Sequence, residues 1–324
     1  MKRILIIGGG GYVGTQLAEL LLNDYIVRVY DLFLYGNNIE PHKNLEIIKG
    51  DIRNISEMEK AAKDCDIAIH LACISNDPSF DLNPELGKSI NFSCFEDIVK
   101  ISNNSGIKKF VYASSSSVYG IKDEENVDEK CSLEPITDYS KFKVKCEEIL
   151  LKYKSKNFIT TIIRPATVCG YSKRQRFDLV VNILTNHGYN NREIKVFGGG
   201  QLRPNINIKD MCNAYLHIIN QEDNLINGEI FNVGFENYSV NYLADIVSRS
   251  LDKNIIITNV PTNDNRSYHI SSKKFIEKLN FKTKYTIEDS VKELINKFEK
   301  QFFKDSLQNE MYFNIKRMQN INLK

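Results

Sequence analysis

The sequence predicts an α/β fold, with a doubly wound parallel sheet in the first half of the chain and a smaller α/β lobe in the second half. Short apolar runs alternate with helix-length amphipathic segments as far as residue 170, and a glycine-rich turn directly follows the first run. Continuous apolar strands separated by helices are typical of a parallel sheet that is covered on both faces. We therefore expect one domain over 1–170 and a lobe over 171–324, some segments of which return to the first domain.

Each element is predicted from an apolar run or an amphipathic pattern. In the first half the expected strands are 3–7, 26–31, 45–49, 66–71, 108–113 and 158–164, and the expected helices are 12–23, 55–64, 84–105 and 138–155. In the second half the expected helices are 175–187, 209–221, 239–251, 271–279 and 286–304, with a strand at 229–233 and a short one after the glycines at 198–200. The tail over 305–324 contains several apolar residues, so we expect it to pack against the protein.

Composition excludes several classes of partner. The 324 residues are 42% hydrophobic and 26% charged, as in ordinary soluble globular proteins, and the net charge is +2. This charge gives no electrostatic attraction to nucleic acid or to a membrane surface, so neither is an expected partner. The first apolar run, 4–7, is too short for a signal-peptide core, and no later run approaches the length that spans a membrane.

The cysteines indicate a reducing compartment. They lie at 65, 73, 94, 131, 146, 169 and 212, an odd number without a CxxC spacing or a zinc-like cluster. Free thiols of this kind are typical of intracellular proteins. We expect a cytoplasmic protein without a metal site.

The first predicted strand ends in a glycine-rich turn. Gly8, Gly11 and Gly14 have the spacing GxxGxxG, and the next predicted helix begins within this turn. Glycine permits the tight turn and allows backbone N–H groups to approach a diphosphate at the positive end of a helix. A strand, glycine turn and helix in this order predict a Rossmann-like domain that binds a dinucleotide.

An aspartate at the end of the second predicted strand indicates which dinucleotide binds. The carboxylate of Asp31 is placed to accept hydrogen bonds from the adenosine ribose hydroxyls and to repel a 2′-phosphate. We therefore predict NAD rather than NADP.

A tyrosine and a lysine share one face of the predicted helix at 138–155. Tyr139 and Lys143 are four positions apart, and an ammonium group close to a phenol stabilises the phenolate and lowers its pKa. Tyr139 is therefore a candidate base. A serine after the strand at 108–113 is placed to hold the substrate hydroxyl that loses its proton.

Together these motifs resemble the extended short-chain dehydrogenase/reductase family, in its branch of NAD-dependent sugar-nucleotide epimerases and dehydratases. The resemblance covers residues 2–298. The matching positions are 8–14, 31, 50–53, 70–72, 91, 115–120, 139, 143, 164–165 and 203–210.

The resemblance implies a role for each matching residue. The expected catalytic residues are Ser115, Tyr139 and Lys143. The expected cofactor contacts are Gly8, Gly11, Tyr12, Val13, Gly14, Asp31, Asp51, Ile52, Leu71, Ala72, Cys73, Asn91, Lys143 and Arg164. The expected contacts to a nucleotide-sugar substrate, mainly in the second lobe, are Ser116, Ser117, Thr167, Arg174, Arg176, Arg203 and Arg266, although Arg174 and Arg176 are equally consistent with exposed loop cations.

Two serines narrow the reaction that the resemblance implies. Dehydratases of this family have Asp-Glu directly after the catalytic Ser/Thr, where this chain has Ser116 and Ser117. The 3,5-epimerases have a cysteine at the second of these positions. An unperturbed serine hydroxyl is a poor acid and a poor base, so loss of water is disfavoured.

Among the reactions of this family, reversible oxidation at C4 of the sugar remains as the expected one. Return of the hydride to the other face makes the protein a C4 epimerase of nucleotide-sugar or surface polysaccharide biosynthesis. Release of the keto sugar makes it a C4 dehydrogenase or reductase, and Thr167 with the segment 169–176 also resembles a branch that acts on GDP-heptose-type sugars. A 4,6-dehydratase and a non-catalytic NAD-binding protein are lesser alternatives. The family often forms homodimers through helices equivalent to 84–105 and 138–155, so a homodimer or larger assembly is expected.

Overall fold

A seven-stranded parallel sheet forms the centre of the structure, a computed structural model that describes residues 1–324 except 125, 252, 253, 263–266, 268, 322 and 324. The strands are β1 (Arg3–Ile7), β2 (Ile26–Asp31), β3 (Leu45–Lys49), β4 (Ile67–His70), β5 (Lys109–Ala113), β6 (Ile159–Pro165), β7 (Thr167–Cys169), β8 (Glu193–Phe197), β9 (Leu202–Asn207), β10 (Glu229–Val233), β11 (Glu236–Ser239) and β12 (Ile256–Val260). The large sheet has the order β10-β6-β5-β4-β1-β2-β3. The predicted α/β fold class is confirmed.

Helices cover both faces of this sheet. They are α1 (Tyr12–Leu21), α2 (Ile55–Ala62), α3 (Asp77–Asp81), α4 (Pro84–Lys88), α5 (Phe95–Asn104), α6 (Asp138–Lys152), α7 (Val180–Asn191), α8 (Ile208–Ile219), α9 (Asp223–Ile226), α10 (Val240–Ser250), α11 (Lys273–Leu279), α12 (Ile287–Glu299) and α13 (Asn314–Asn320). A π-helical turn spans Ser89–Ser93, and short 3₁₀ turns span Ser116–Tyr119 and Glu310–Tyr312.

The apolar strands form two separate cores because successive side chains point to opposite faces. Ile4 and Ile6 of β1 pack in a cluster with α1 and α8, whereas Leu5 and Ile7 pack in a second cluster with α2, α5 and α6. All four side chains are fully buried. A strand that is apolar on both faces therefore lies in the middle of the sheet, as its sequence predicts.

The order of the strands locates a crevice at one edge of the sheet. From β1 the chain runs outward through β2 and β3, then returns to place β4 on the other side of β1. In a doubly wound sheet such a reversal leaves a crevice beyond the carboxyl ends of the two central strands, where ligands bind. The segments after β1 and β4 therefore form a binding site.

The second half of the chain contributes to the large sheet and also builds two small ones. Strand β10 pairs in parallel with β6, and α8 packs against α1 in the first core. Strands β7, β9 and β11 form a three-stranded sheet, and β8 pairs with β12. The tail packs against the protein as predicted, since Phe313 is buried in an aromatic cluster with Phe177 and Phe298.

Three predicted helices differ from the structure. The helix predicted at 286–304 ends at Glu299. The segment 84–105 is not one helix but α4, the π-helical turn and α5, and within that turn the side chain of Asn91 bonds both backbone groups of Ile74. The helix predicted at 175–187 begins at Val180, because the preceding loop is held by side-chain bonds. The amide of Asn182, for example, donates to the carbonyl oxygen of Arg176 at 2.9 Å.

Candidate active site

A cavity of about 350 Å³ lies beyond the carboxyl ends of β1 and β4. Most of the site residues predicted from the sequence line it. They are Gly8, Gly11, Tyr12, Val13, Gly14, Asp31, Ile52, Leu71, Ala72, Cys73, Ser115, Ser116, Ser117, Tyr139, Lys143, Thr167, Arg174 and Arg176.

The glycine turn is shaped for a close ligand. Gly8 has a φ of +85°, a conformation that L side chains rarely adopt. A Cβ on Gly14 would lie 2.6 Å from the carbonyl oxygen of Gly8, so no larger residue fits. Helix α1 begins directly after Gly11, and its first N–H groups point toward the cavity end of the helix. The turn can therefore hold an anion against the positive end of α1.

The carboxylate of Asp31 marks a second part of the cavity. It accepts hydrogen bonds from the backbone N–H of Gly10 at 3.0 Å and from that of Phe33 at 2.6 Å. Burial raises the pKa of this carboxyl group above its usual range, while the two N–H groups and the charge of Arg174 oppose that rise. The group is thus fixed beside the glycine turn, where a ribose hydroxyl can donate to it.

The three predicted catalytic residues meet at the other part of the cavity. Tyr139 and Lys143 lie on the same face of α6, which begins with a capping box at Thr137. The ammonium group of Lys143 donates to the carbonyl oxygen of Ala113 at 2.6 Å and lies 5.7 Å from the ring centroid of Tyr139. Ser115 lies just after β5 and lines the same cavity, where its hydroxyl acts to lower the pKa of the phenol.

The ionisation of Tyr139 differs from the expectation. Burial raises the pKa of its phenol well above the usual value, and the neighbouring Cys73 and Asp77 raise it further. The hydroxyl of Ser115 and the charge of Arg176 act in the opposite direction but do not outweigh burial. Positive charge beside the phenol therefore lowers its pKa, whereas burial raises it.

A buried ion pair supports the catalytic part of the cavity from behind. Arg164 donates to both carboxylate oxygens of Glu147, at 3.0 and 2.6 Å, and to the hydroxyl of Tyr119 at 2.9 Å. Ser114 donates to the same carboxylate. Arg164 is not among the residues that line the cavity, and its expected contact with the cofactor stays a prediction.

Three further predicted contacts also lie away from the cavity wall. Asp51 is bonded to Arg53 at 2.6 Å, and Asn91 bonds the backbone of Ile74, so both fix the loops that shape the wall. Arg203 lies on β9 of the small sheet and donates to the carbonyl oxygen of Leu202. Arg266 lies outside the described residues.

The cavity has few acidic groups near the catalytic residues. Ser116 and Ser117 follow Ser115 in a 3₁₀ turn, and the hydroxyl groups of Ser115 and Ser117 are 2.8 Å apart. Within the described cavity wall, Asp77 is the only carboxylate at this end, and it accepts from the hydroxyl of Thr137 at 2.5 Å.

Over the described part of the chain, no cluster of His, Cys, Asp or Glu suits a metal ion. None of the described helices has the length and the apolar character of a membrane span.

Comparison with a protein-family model identifies the family of this chain. The model of the NAD dependent epimerase/dehydratase family matches residues 4–234. The chain belongs to this family. The match contains the glycine turn, Asp31, and the predicted catalytic residues Ser115, Tyr139 and Lys143, and it confirms the resemblance drawn from these motifs.

Known proteins resemble the chain over most of its length. An uncharacterized protein of Sinorhizobium fredii is 34% identical over 204 residues, 62% of this chain but only 48% of that protein, so the chain spans about half of its length. The mouse dTDP-D-glucose 4,6-dehydratase is 27% identical over 93% of this chain and 90% of its own. The structure of UDP-glucuronic acid 4-epimerase from Bacillus cereus, in complex with UDP-glucuronic acid and NAD, is similar to this one with a TM-score of 0.83. The two sequences are 24% identical, and the match covers 93% of this chain and all of that one.

The cofactor of this epimerase/dehydratase family is NAD, as the glycine turn predicts. The cavity fits such a dinucleotide by its own chemistry. The turn at Gly8–Gly14 leaves no room for side chains, and Asp31 presents a fixed carboxylate beside it. The residues that would hold the cofactor are therefore the turn for its diphosphate and Asp31 for its adenosine ribose.

Several residues of the cavity wall were not predicted from the sequence. Polar residues among them are Tyr35, Ser75, Asn76, Asp77, Ser114 and Asn314. The run 75–78, Ser-Asn-Asp-Pro, lies shortly after the buried strand β4, and that polar cluster is a signal that could have been used. Tyr35 and Asn314 have no such signal, because only the folded chain brings them to the cavity.

Proposed function

We propose that this protein is an NAD-dependent nucleotide-sugar C4 epimerase that works through a 4-keto intermediate. The observation on which the proposal depends is the meeting of Ser115, Tyr139 and Lys143 in the cavity that contains the glycine turn. This set suffices to oxidise a hydroxyl-bearing carbon and to reduce it again. No part of the proposal needs a second acid–base pair.

Each catalytic residue has a separate task in the proposed reaction. The phenolate of Tyr139 accepts the proton of the C4 hydroxyl, and the hydroxyl of Ser115, which lines the same cavity, holds the same substrate oxygen. Lys143 places its ammonium group 5.7 Å from the phenol ring and is fixed there by its bond to Ala113. When bound, NAD supplies the hydride acceptor and a positively charged ring whose field favours the phenolate.

The polar groups around the catalytic residues favour epimerisation over dehydration. Ser116 and Ser117 occupy the positions at which the dehydratases have Asp-Glu, and both line the cavity. Asp77 is the one described carboxylate at that end, and removal of water requires both an acid and a base at the sugar. We propose that Ser116, Ser117 and Thr167 instead contact the sugar through hydrogen bonds.

The product of a sugar panel tests the proposal. The protein is incubated with UDP-, GDP-, dTDP- and CDP-linked sugars, and the products are identified by NMR and mass spectrometry. We expect a product of unchanged mass with the configuration at C4 inverted. A product that has lost water would contradict the proposal in favour of a dehydratase. Accumulation of reduced cofactor with a released 4-keto sugar would contradict it in favour of a dehydrogenase.

A further inference from the structure

Two arginines from the second half of the chain lie in the cofactor cavity. Arg174 and Arg176 belong to the loop between β7 and α7, and they line the same cavity as the glycine turn and Asp31. Their exposed fractions are only 3% and 8%. Neither is an exposed loop cation, which was one of the two possibilities that the sequence left open.

The protein neutralises only part of the charge on this pair. Arg176 donates to the carboxylate of Asp178 at 2.8 Å, whereas Arg174 donates to the neutral amide oxygen of Asn314 at 2.6 Å and stacks on the ring of Tyr35, 3.6 Å from its centroid. Nε and Nη1 of Arg174 and Nη2 of Arg176 have no acceptor among the described residues. Two buried guanidinium groups with a single carboxylate between them are unfavourable, so an anionic ligand is expected beside them.

The two arginines lie between the two parts of the cavity. Arg174 stacks on Tyr35, in the loop that follows Asp31 at the end of β2. Arg176 donates to the hydroxyl of Ser75 at 3.1 Å, in the loop that follows β4, and both loops line the cavity. A dinucleotide that extends from Asp31 to Tyr139 must place its diphosphate between these two residues.

We propose that Arg174 and Arg176 bind the diphosphate of NAD, together with the N–H groups of the glycine turn. A planar guanidinium presents paired N–H donors that match the oxygen atoms of a phosphate, and both arginines line the cavity that contains the glycine turn. This moves the two arginines from the predicted substrate contacts to the cofactor. Asn314 positions Arg174, and its own amide donates to the hydroxyl of Ser75 at 2.9 Å.

The test measures binding without catalysis, so it does not depend on the proposed C4 chemistry. Calorimetric titration of the NAD-free full-length chain gives dissociation constants for NAD, ADP and adenosine. For Arg174→Gln and for Arg176→Gln we expect the constants for NAD and ADP to rise about tenfold or more, because each loses a charge-assisted hydrogen bond. The constant for adenosine, which has no diphosphate, should stay the same. Arg174→Lys keeps the positive charge but lacks the paired N–H donors of a guanidinium. It should therefore weaken NAD binding less than Arg174→Gln does.

Lys173→Gln is the matched control. It removes one positive charge from the same loop, but Lys173 pairs with Glu19 at 2.8 Å and does not line the cavity, so NAD affinity should not change. Circular dichroism verifies that each variant is folded. Unchanged NAD affinity in Arg174→Gln and Arg176→Gln would overturn the proposal, as would an equal loss for adenosine. Weakened binding of UDP, GDP or dTDP with unchanged binding of NAD would overturn it too, and would indicate that the two arginines bind the substrate instead.

Discussion

The two ends of the cavity are built in different ways. At the catalytic end, Ser115, Tyr139 and Lys143 come from one β5–α6 unit of the chain. At the adenosine end, Asp31, Tyr35, Arg174 and Asn314 come from segments that are far apart in sequence and meet only in the fold. The catalytic end is therefore specified by local spacing, and the adenosine end by long-range contacts.

This difference has a consequence for how substitutions act. A change at the catalytic end should affect the chemistry or the rigid support behind it, and leave cofactor binding intact. A change at the adenosine end should affect affinity for NAD and leave the chemical step intact at saturating cofactor. The predictions below test this separation.

Removal of the Tyr139 hydroxyl should have the largest effect. In Tyr139→Phe we expect turnover to fall about 10²–10⁴-fold, because the proposed base is lost, with no change in the NAD content of the purified protein. Product formation and cofactor absorbance measure the two quantities. Tyr153→Phe is the control, since Tyr153 ends the same helix and donates to Glu96 at 2.7 Å, outside the cavity wall. Wild-type turnover in Tyr139→Phe would exclude this residue as the base.

Loss of the carboxylate behind the catalytic end should destabilise the whole protein. Glu147 and Arg164 are each 2% exposed, so Glu147→Gln leaves the charge of Arg164 buried without its counter-ion. We expect the free energy of unfolding to fall by about 3 kcal/mol, measured by urea denaturation. Glu148→Gln changes the exposed neighbour on α6 and should have almost no effect. Equal stability of the two variants would show that the buried ion pair does not support this end of the cavity.

The adenosine end should show the smallest effect, and only on affinity. Asn314→Ala removes one acceptor of Arg174, so we expect the dissociation constant for NAD to rise roughly two- to tenfold while turnover at saturating NAD stays the same. Asn320→Ala is the control on the same helix, because Asn320 bonds Glu310 and does not line the cavity. A fall in turnover at saturating NAD would mean that the two ends of the cavity are not separable.

The sequence predicts those parts of the fold and site that depend on local pattern. The parallel sheet follows from runs such as Ile4–Ile7, whose side chains are buried on both faces. The positions of Tyr139 and Lys143 follow from helical spacing, and Gly14 from a turn that has no room for a side chain. These features need no knowledge of distant contacts.

Other features could not be predicted, because they depend on contacts between distant segments. The side chain of Asn91, inside the predicted helix, bonds the backbone of Ile74, and the guanidinium of Arg164 is bonded by Glu147 and Tyr119. The raised pKa of Tyr139 depends on burial, which spacing does not give. The homodimer, the cytoplasmic location and the boundary between 1–170 and 171–324 remain predictions.

The fate of a deuterium label at C4 tests the central claim most directly. The nucleotide sugar that the panel identifies is prepared with deuterium at C4, and the label in the product is located by NMR after complete turnover. The account predicts a product inverted at C4 that keeps its deuterium at C4, because the hydride taken from that carbon returns to it. Deuterium at any other carbon, or its loss from the sugar with released reduced cofactor, would contradict the account.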